Sequence, residues 1–177
     1  NTQGDSHAAT LDMNLKGDNL FLSNFYLGSA QAFLNYQKGL LSFKNINGKI
    51  GNSEYKADVI VDAMQSTIQV DGGSDRLNIP DALKAFERLV KLPIEINGIG
   101  KVKVKGGGPF ALNELSYDLQ VEILKGSIAN ENFEKIEGQL VAEHGEVKIQ
   151  KALLRKQKSV ITAEGVGHPS GEIDLLV

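Results

Sequence analysis

Residues 115–123 read Leu-Ser-Tyr-Asp-Leu-Gln-Val-Glu-Ile, so that Leu115, Tyr117, Leu119, Val121 and Ile123 alternate with Ser116, Asp118, Gln120 and Glu122. A period of two is that of a β-strand, whose successive side chains point to opposite faces. One face of this stretch is aliphatic and the other polar, which makes it a half-buried strand. The alternation spreads outward in both directions. Upstream it appears in Leu11, Met13 and Leu15, in Ala32, Leu34 and Tyr36, and in Leu41 and Phe43. It continues in Tyr55, Ala57, Val59 and Val61, in Ile68 and Val70 before a Gly72-Gly73 turn, and in Ile99, Val102 and Val104. Downstream it returns in Leu140 with Ala142, Val147 with Ile149, Ile161 with Ala163, and Ile173, Leu175 and Val177. About a dozen strands of ordinary length follow, joined by short turns rich in Gly, Asn or Asp. Short connections favour antiparallel neighbours. The expected fold is mainly β, an antiparallel-rich sheet.

One segment departs from this period. Over residues 79–91, Leu83, Phe86, Leu89 and Val90 recur at helical spacing, with Pro80 in the first turn and Pro93 just past the end. Asp81 near the start and Arg88 with Lys91 near the end suit the helix dipole. An amphipathic helix is expected there, docked on the sheet or lying over it as a gate.

Sliding the sequence 106 positions against itself brings residues 8–61 onto 114–167. Leu11 falls on Tyr117, Asp12 on Asp118, Met13 on Leu119, Leu15 on Val121, Asn24 on Asn130, Leu34 on Leu140, Gly39 on Gly145 and Ser53 on Ser159. The reading is a duplicated unit whose copies flank residues 62–113, which hold the helix. Each unit buries its apolar face only beside a neighbour. Residues 1–7, polar and aperiodic, read as a linker or an expression remnant, and residues 8–177 as a single β-rich domain. The last strand pattern runs to the end of the chain, as in a fragment of a longer protein.

The 177 residues, 41% hydrophobic and 23% charged, are enough to bury a core without staples and too apolar for bulk disorder. A net charge of -3 argues against a nucleic acid partner, which needs a basic field. The absence of cysteine excludes disulfides, thiolate metal sites and cysteine nucleophiles. No apolar run reaches the roughly 20 residues of a transmembrane helix, so no membrane span is expected in this sequence.

Catalytic signals are missing. His7, His144 and His168 lie in the tail or in turns, and none has metal-ligand spacing. Gly98-Ile99-Gly100 leads into a strand with Lys103 where a dinucleotide turn needs glycine, and Gly106-Gly107-Gly108-Pro109 lacks the Lys-Ser/Thr end of a phosphate loop. The latter reads as a bulge or wide turn. Lys101, Lys103 and Lys105, like Lys148, Lys151, Arg155, Lys156 and Lys158, read as solvated faces or guarded edges that could also attract anionic head groups. Neither an enzyme, a metal site nor a cofactor is expected.

What remains is a long apolar sheet face of Leu, Ile, Val, Met and Phe. If the sheet curls without closing, that face is a greasy trough suited to acyl chains. If two sheets pack, the same residues are a sandwich core. The sequence leaves both open.

The rhythm of strands resembles a known family. The units Gly28-Ser29-Ala30-Gln31-Ala32-Phe33-Leu34 and Ile136-Glu137-Gly138-Gln139-Leu140, and the close Ile161-Thr162-Ala163-Glu164-Gly165-Val166-Gly167 with Gly171-Glu172-Ile173-Asp174-Leu175, are similar to the TamB and AsmA-like proteins of Gram-negative envelopes. The resemblance covers residues 10–177 and rests on pattern, since that family has no sharp motif. It implies a curled, U-shaped, β-taco-like sheet with a hydrophobic groove, in a periplasmic protein anchored in the inner membrane. The implied role is carriage of phospholipid acyl chains to the outer membrane and support of outer-membrane biogenesis, with an Omp85-type barrel as partner. Lipid-groove residues are then Leu11, Met13, Leu15, Leu34, Leu41, Phe43, Val59, Val102, Val104, Leu119, Val121, Leu140, Val147 and Ile149. The alternative is a β-sandwich scaffold, or an adhesion or small-ligand-binding module, with a filled core.

Overall fold

The computed structural model describes residues 10–22, 25–85, 95–110, 114–143, 146–167 and 173–176. The first half contributes β1 (Thr10–Leu22), β2 (Phe25–Gln37), β3 (Leu40–Ile50), β4 (Ser53–Asp62) and β5 (Thr67–Asn78), followed by a helix, α1 (Ile79–Ala85). After it come β6 (Ile96–Pro109), β7 (Ser116–Ile128), β8 (Glu131–Glu143), β9 (Glu146–Lys156), β10 (Ser159–Gly167) and β11 (Ile173–Leu176). All eleven strands join one sheet in chain order, each antiparallel to its neighbours. The meander follows from the short links. Lys38 and Gly39, at φ 50° and 84°, turn β2 into β3, and Ala129 and Asn130, at 50° and 67°, turn β7 into β8. Consecutive positive φ angles are what a two-residue hairpin requires.

β1 and β11 lie at opposite ends of the strand order, so the sheet is unclosed. It is also curled. Register shifts interrupt β1–β2 after Gly17, β2–β3 between Gln31 and Phe33, β3–β4 between Phe43 and Ile46, and β5–β6 between Ser74 and Leu77. Asn45, at φ 51°, is the extra residue in β3. Bulges bend a strand and increase its twist, and a row of them coils the whole sheet.

Two glycine-rich stretches differ from the sequence expectation. Gly72 and Gly73 do not turn the chain, because β5 runs through them, with Gly72 between Ala57 and Val104 and Gly73 between Lys56 and Lys103. Residues 106–109 likewise stay in β6, Gly106 between Val70 and Tyr117. The physical reason is close approach: a Cβ on Gly72 would stand 2.7 Å from the Lys56 carbonyl oxygen, and one on Gly106 would stand 2.5 Å from that of Ser116. Here glycine admits neighbouring backbone into a coiled sheet.

α1 starts where expected, capped by Asn78, whose Oδ1 accepts from the Asp81 amide at 3.3 Å. It extends to Ala85; the rest of the anticipated helix, with Phe86, Leu89 and Val90, lies outside the described residues, as do residues 1–7, all three histidines and Val177. Ile79 joins Ile123 and Phe133 in a buried apolar cluster, against which Leu83 of the helix and Leu77, Ile96, Val121, Ile128, Ile136 and Leu154 of the sheet are packed. Asp81 ties the helix to the β3–β4 turn, accepting from the Asn52 amide at 2.7 Å and the Ser53 hydroxyl at 3.4 Å.

The strand starts carry an arithmetic regularity. β1 to β5 begin at 10, 25, 40, 53 and 67, and β7 to β11 at 116, 131, 146, 159 and 173, each 106 later. Positive φ angles recur at the same offset, at Asn19 and Lys125 and at Gly51 and Gln157.

Candidate functional surface

Cross-strand partners in an antiparallel sheet project on the same face, so the register assigns every residue to a side. Met13 faces Leu34, Leu34 faces Phe43, Phe43 faces Val59 and Val59 faces Val70. Leu11 faces Tyr36, which faces Leu41, and Leu15 faces Ala32. Further along, Val104 faces Leu119, Leu119 faces Leu140 and Leu140 faces Ile149, while Val102 faces Val121 and Val147 faces Ala142 opposite Tyr117. Gly72, opposite both Ala57 and Val104, and Gly106, opposite both Val70 and Tyr117, join the two halves. All fourteen residues read from the sequence therefore share one face of one sheet.

Their burial says how that face is used. Only Leu34, at 8% exposure, is buried, and Leu11 and Met13 are 48% and 40% exposed. The other eleven are half-buried. Among the described residues no large side chain is fully buried. A face filled by a second packed layer would seal these side chains, and a flat isolated sheet would leave them in water. The curl holds them between the two. The face is uneven along the strands: α1 and its cluster cover the end that carries Leu77, Ile123, Phe133 and Ile136, whereas nothing among the described residues covers the end with Leu11, Leu41 and Val61. Ile123 and Ile136 continue the alternation read from sequence, but their placement under the helix had no local signal.

The opposite face is polar and internally paired. Lys135 Nζ stands 2.8 Å from Glu122 and 2.6 Å from Glu137. The hydrogen bonds that Lys135 donates to Glu122 and then Glu137 raise the Lys135 pKa, and the same bond to Glu137 lowers the pKa of that carboxyl. Gln139 donates to Asp118. At the strand ends, where Glu131 stands opposite Ile128, Lys156 donates to it at 2.5 Å, which lowers the Glu131 pKa. A concavity of about 1640 Å³ opens between β1 and β7, and its lining is dominated by this polar phase, including Lys16, Gln31, Asn47, Lys56, Lys103 and Asp118. Of the fourteen groove residues only Val102 and Val104 touch it. A twisted sheet is saddle-shaped, so a hollow can form on either face. Six basic and six acidic side chains line the hollow, which leaves it without a net field for an anion.

No group of three or more His, Asp or Glu among the described residues is arranged to hold a metal ion, and no described helix is long and apolar enough to cross a membrane. In comparisons with known proteins, no family model, no curated protein and no solved structure matches this chain.

Proposed function

We propose that the apolar face is a conduit for lipid acyl chains, formed by a segment of a periplasmic protein that moves phospholipid between inner and outer membranes and supports outer-membrane biogenesis, with an Omp85-type barrel as its downstream partner. The protein acts without chemistry of its own. The observation that carries the reading is the half-open state of the face: fourteen aliphatic and aromatic side chains share one side of a single unclosed sheet, and only Leu34 among them is buried. Side chains of this kind, left partly in water across eight strands, gain by contact with a hydrocarbon guest at about 25 cal/mol per Å² covered. The TamB and AsmA-like resemblance supplies the compartment, the lipid class and the barrel. The 106-residue spacing shared by the strand starts and by two pairs of positive-φ residues supports a duplicated unit, and a conduit made of repeats lengthens without new design.

A photo-reactive residue placed in turn at Leu119 and Ile149 on the apolar face, and at Gln120 and Lys148 on the polar face, tests this. With phospholipid vesicles, and in Gram-negative cells, lipid adducts are expected at the first pair. Equal labelling at both pairs overturns the proposal.

A second reading, a module that binds a small polar ligand, is favoured by the hollow on the polar face. It expects a soluble ligand to protect Lys56 and Lys103 from acetylation while lipid labelling stays even.

A further inference from the structure

The two ends of the strands differ in what their turns present. At the end covered by α1 the turn residues are polar: Gly51-Asn52 between β3 and β4, Ala129-Asn130 between β7 and β8, and Gln157-Lys158 between β9 and β10. Exposed apolar groups near that end, such as Ile99, Leu124 and Val160, lie within strands, and Phe21 packs against Tyr26 with ring centroids 5.0 Å apart. At the other end apolar groups stand at the tips. Met64, in the β4–β5 turn, is 66% exposed, Phe110, just past β6, is 51% exposed, and Leu40, the first residue of β3, is 43% exposed.

These three belong to one rim. The Ala63 amide donates to the Gly39 carbonyl at 3.0 Å, which ties the β4–β5 turn to the β2–β3 turn. The Phe110 amide donates to the Ser66 carbonyl at 3.1 Å, which ties the end of β6 to the same turn. The Met64 side chain lies on Gly39, where an added Cβ would stand 2.8 Å from its Cγ. The rim therefore crosses five neighbouring strands, β2 to β6, over roughly 19 Å. Its charges are few. The Asp62 carboxylate is turned inward by the Met64 and Gln65 amides, both at 2.9 Å, and Lys38 has a long stem that lies along apolar surface while its ammonium reaches water. Glu143 and Glu146, at the same end, lie beyond the rim on β8 and β9. One residue inside the rim, Val61 pairs with Leu41 and with Ile68 on the apolar face, so the exposed tips run straight into the uncovered end of that face.

We propose that this rim docks on a phospholipid bilayer, which holds the strands end-on to the membrane with α1 at the far end. Large apolar side chains on three joined tips enter the boundary between headgroups and acyl chains, and Lys38, Gln65 and Ser66 stay among the headgroups. A protein partner would call for a flatter patch. Insertion is apolar, so a zwitterionic bilayer suffices and salt has little effect. The docking stands apart from what the face carries.

The chain contains no tryptophan, so one introduced indole, excited selectively, reports its own surroundings. Met64→Trp and Phe110→Trp, each mixed with phosphatidylcholine vesicles whose acyl chains carry bromine, should show blue-shifted and strongly quenched emission. Asn52→Trp at the opposite end should show neither. In vesicle flotation of the 177-residue chain, Met64→Asp combined with Phe110→Asp should lower partitioning about tenfold or more, with a melting curve like the parent's because both side chains face water. Quenching no greater at 64 and 110 than at 52, binding that needs anionic lipid and disappears with salt, or a double variant that floats like the parent each overturns the proposal. Lipid adducts at Leu119 without quenching at the rim remove the docking and leave the conduit, and quenching without adducts does the reverse.

Discussion

Replacing Leu119 by Asp, with Ile123→Asp as its counterpart, separates an open apolar face from a filled one. The two residues sit on the same face of β7, one turn of the pleat apart from Val121, yet in different surroundings. Leu119 is half-buried between Val104 and Leu140. Ile123 is 7% exposed and packs in the cluster with Ile79 and Phe133 under α1. At position 119 the substitution removes two cross-strand apolar pairs, each contributing about 0.2–1 kcal/mol, while water still reaches the new carboxylate, so the cost is about 0.5–2 kcal/mol. At position 123 truncation alone costs about 2–5 kcal/mol and the unpartnered charge adds several more. For a domain of this length about 1 kcal/mol moves Tm by roughly 2–4 °C. Leu119→Asp should therefore melt no more than about 8 °C below the parent by circular dichroism, with an unchanged urea m-value. Ile123→Asp should fail to fold, and Ile123→Ala, which keeps the comparison measurable, should lose about 2–5 kcal/mol. If Leu119→Asp proves as damaging as Ile123→Asp, the face is sealed and the conduit reading fails.

Asp81→Ala leaves the Asn52 amide without its acceptor, while the Ser53 hydroxyl keeps the Asn78 carbonyl, and urea denaturation should show a loss of about 1–3 kcal/mol together with faster amide exchange in α1. Gly48→Ala drives a methyl into the Tyr55 ring, whose hydroxyl donates to the Leu27 carbonyl at 2.9 Å; a loss of about 1–3 kcal/mol is expected, and Tyr55→Phe should recover none of it. On the acid side, Glu131 and Glu137 have folded-state pKa values below the ordinary 4.5, held by Lys156 and Lys135 respectively, so their contribution is complete above 4.5 and disappears as pH falls through the lowered values. On the alkaline side, Lys135 is raised above 10.5 by Glu122 and Glu137, and Tyr55 above 10.0 by burial. Both contributions are complete below those values and are lost as pH rises through the raised ones. Tm measured against pH should be level between these limits, and Lys135→Met should reduce both shoulders, leaving the parts that belong to Glu131 and Tyr55.

Much of this architecture is legible because period two is a local property. Leu119, Val121 and their neighbours declare their face within a five-residue window, and the register then carries that face across the sheet. Glycine misled the reading where its role is not local. Gly72-Gly73 and residues 106–108 resemble turn signals in isolation, and only the strands on either side show that they admit close backbone. The helix start was legible from Pro80 and Asp81, but not the bond from Asp81 to the β3–β4 turn, which joins residues 29 apart in sequence. Ile136 and Leu154 escaped the groove list for a similar reason. For Leu154, Leu153 beside it and the extra residue Gln150 in β9 put it out of step with Val147 and Ile149; Ile136 stays in phase with Leu140, and only its place under α1 was not legible.

The apolar face poses a physical problem of its own. A sheet that is apolar on one side must lay that side against something, and most domains supply a second layer of their own. Here the described residues supply a seven-residue helix at one end of the strands and no helix at the other. Curling reduces the exposed area without removing it, as the half-buried state of Phe43, Val59, Val104 and Ile149 shows. A hydrocarbon guest on the face completes the burial in the proposal above, because contact along the open ends of β1, β3 and β4 covers the aliphatic groups that the helix leaves half in water.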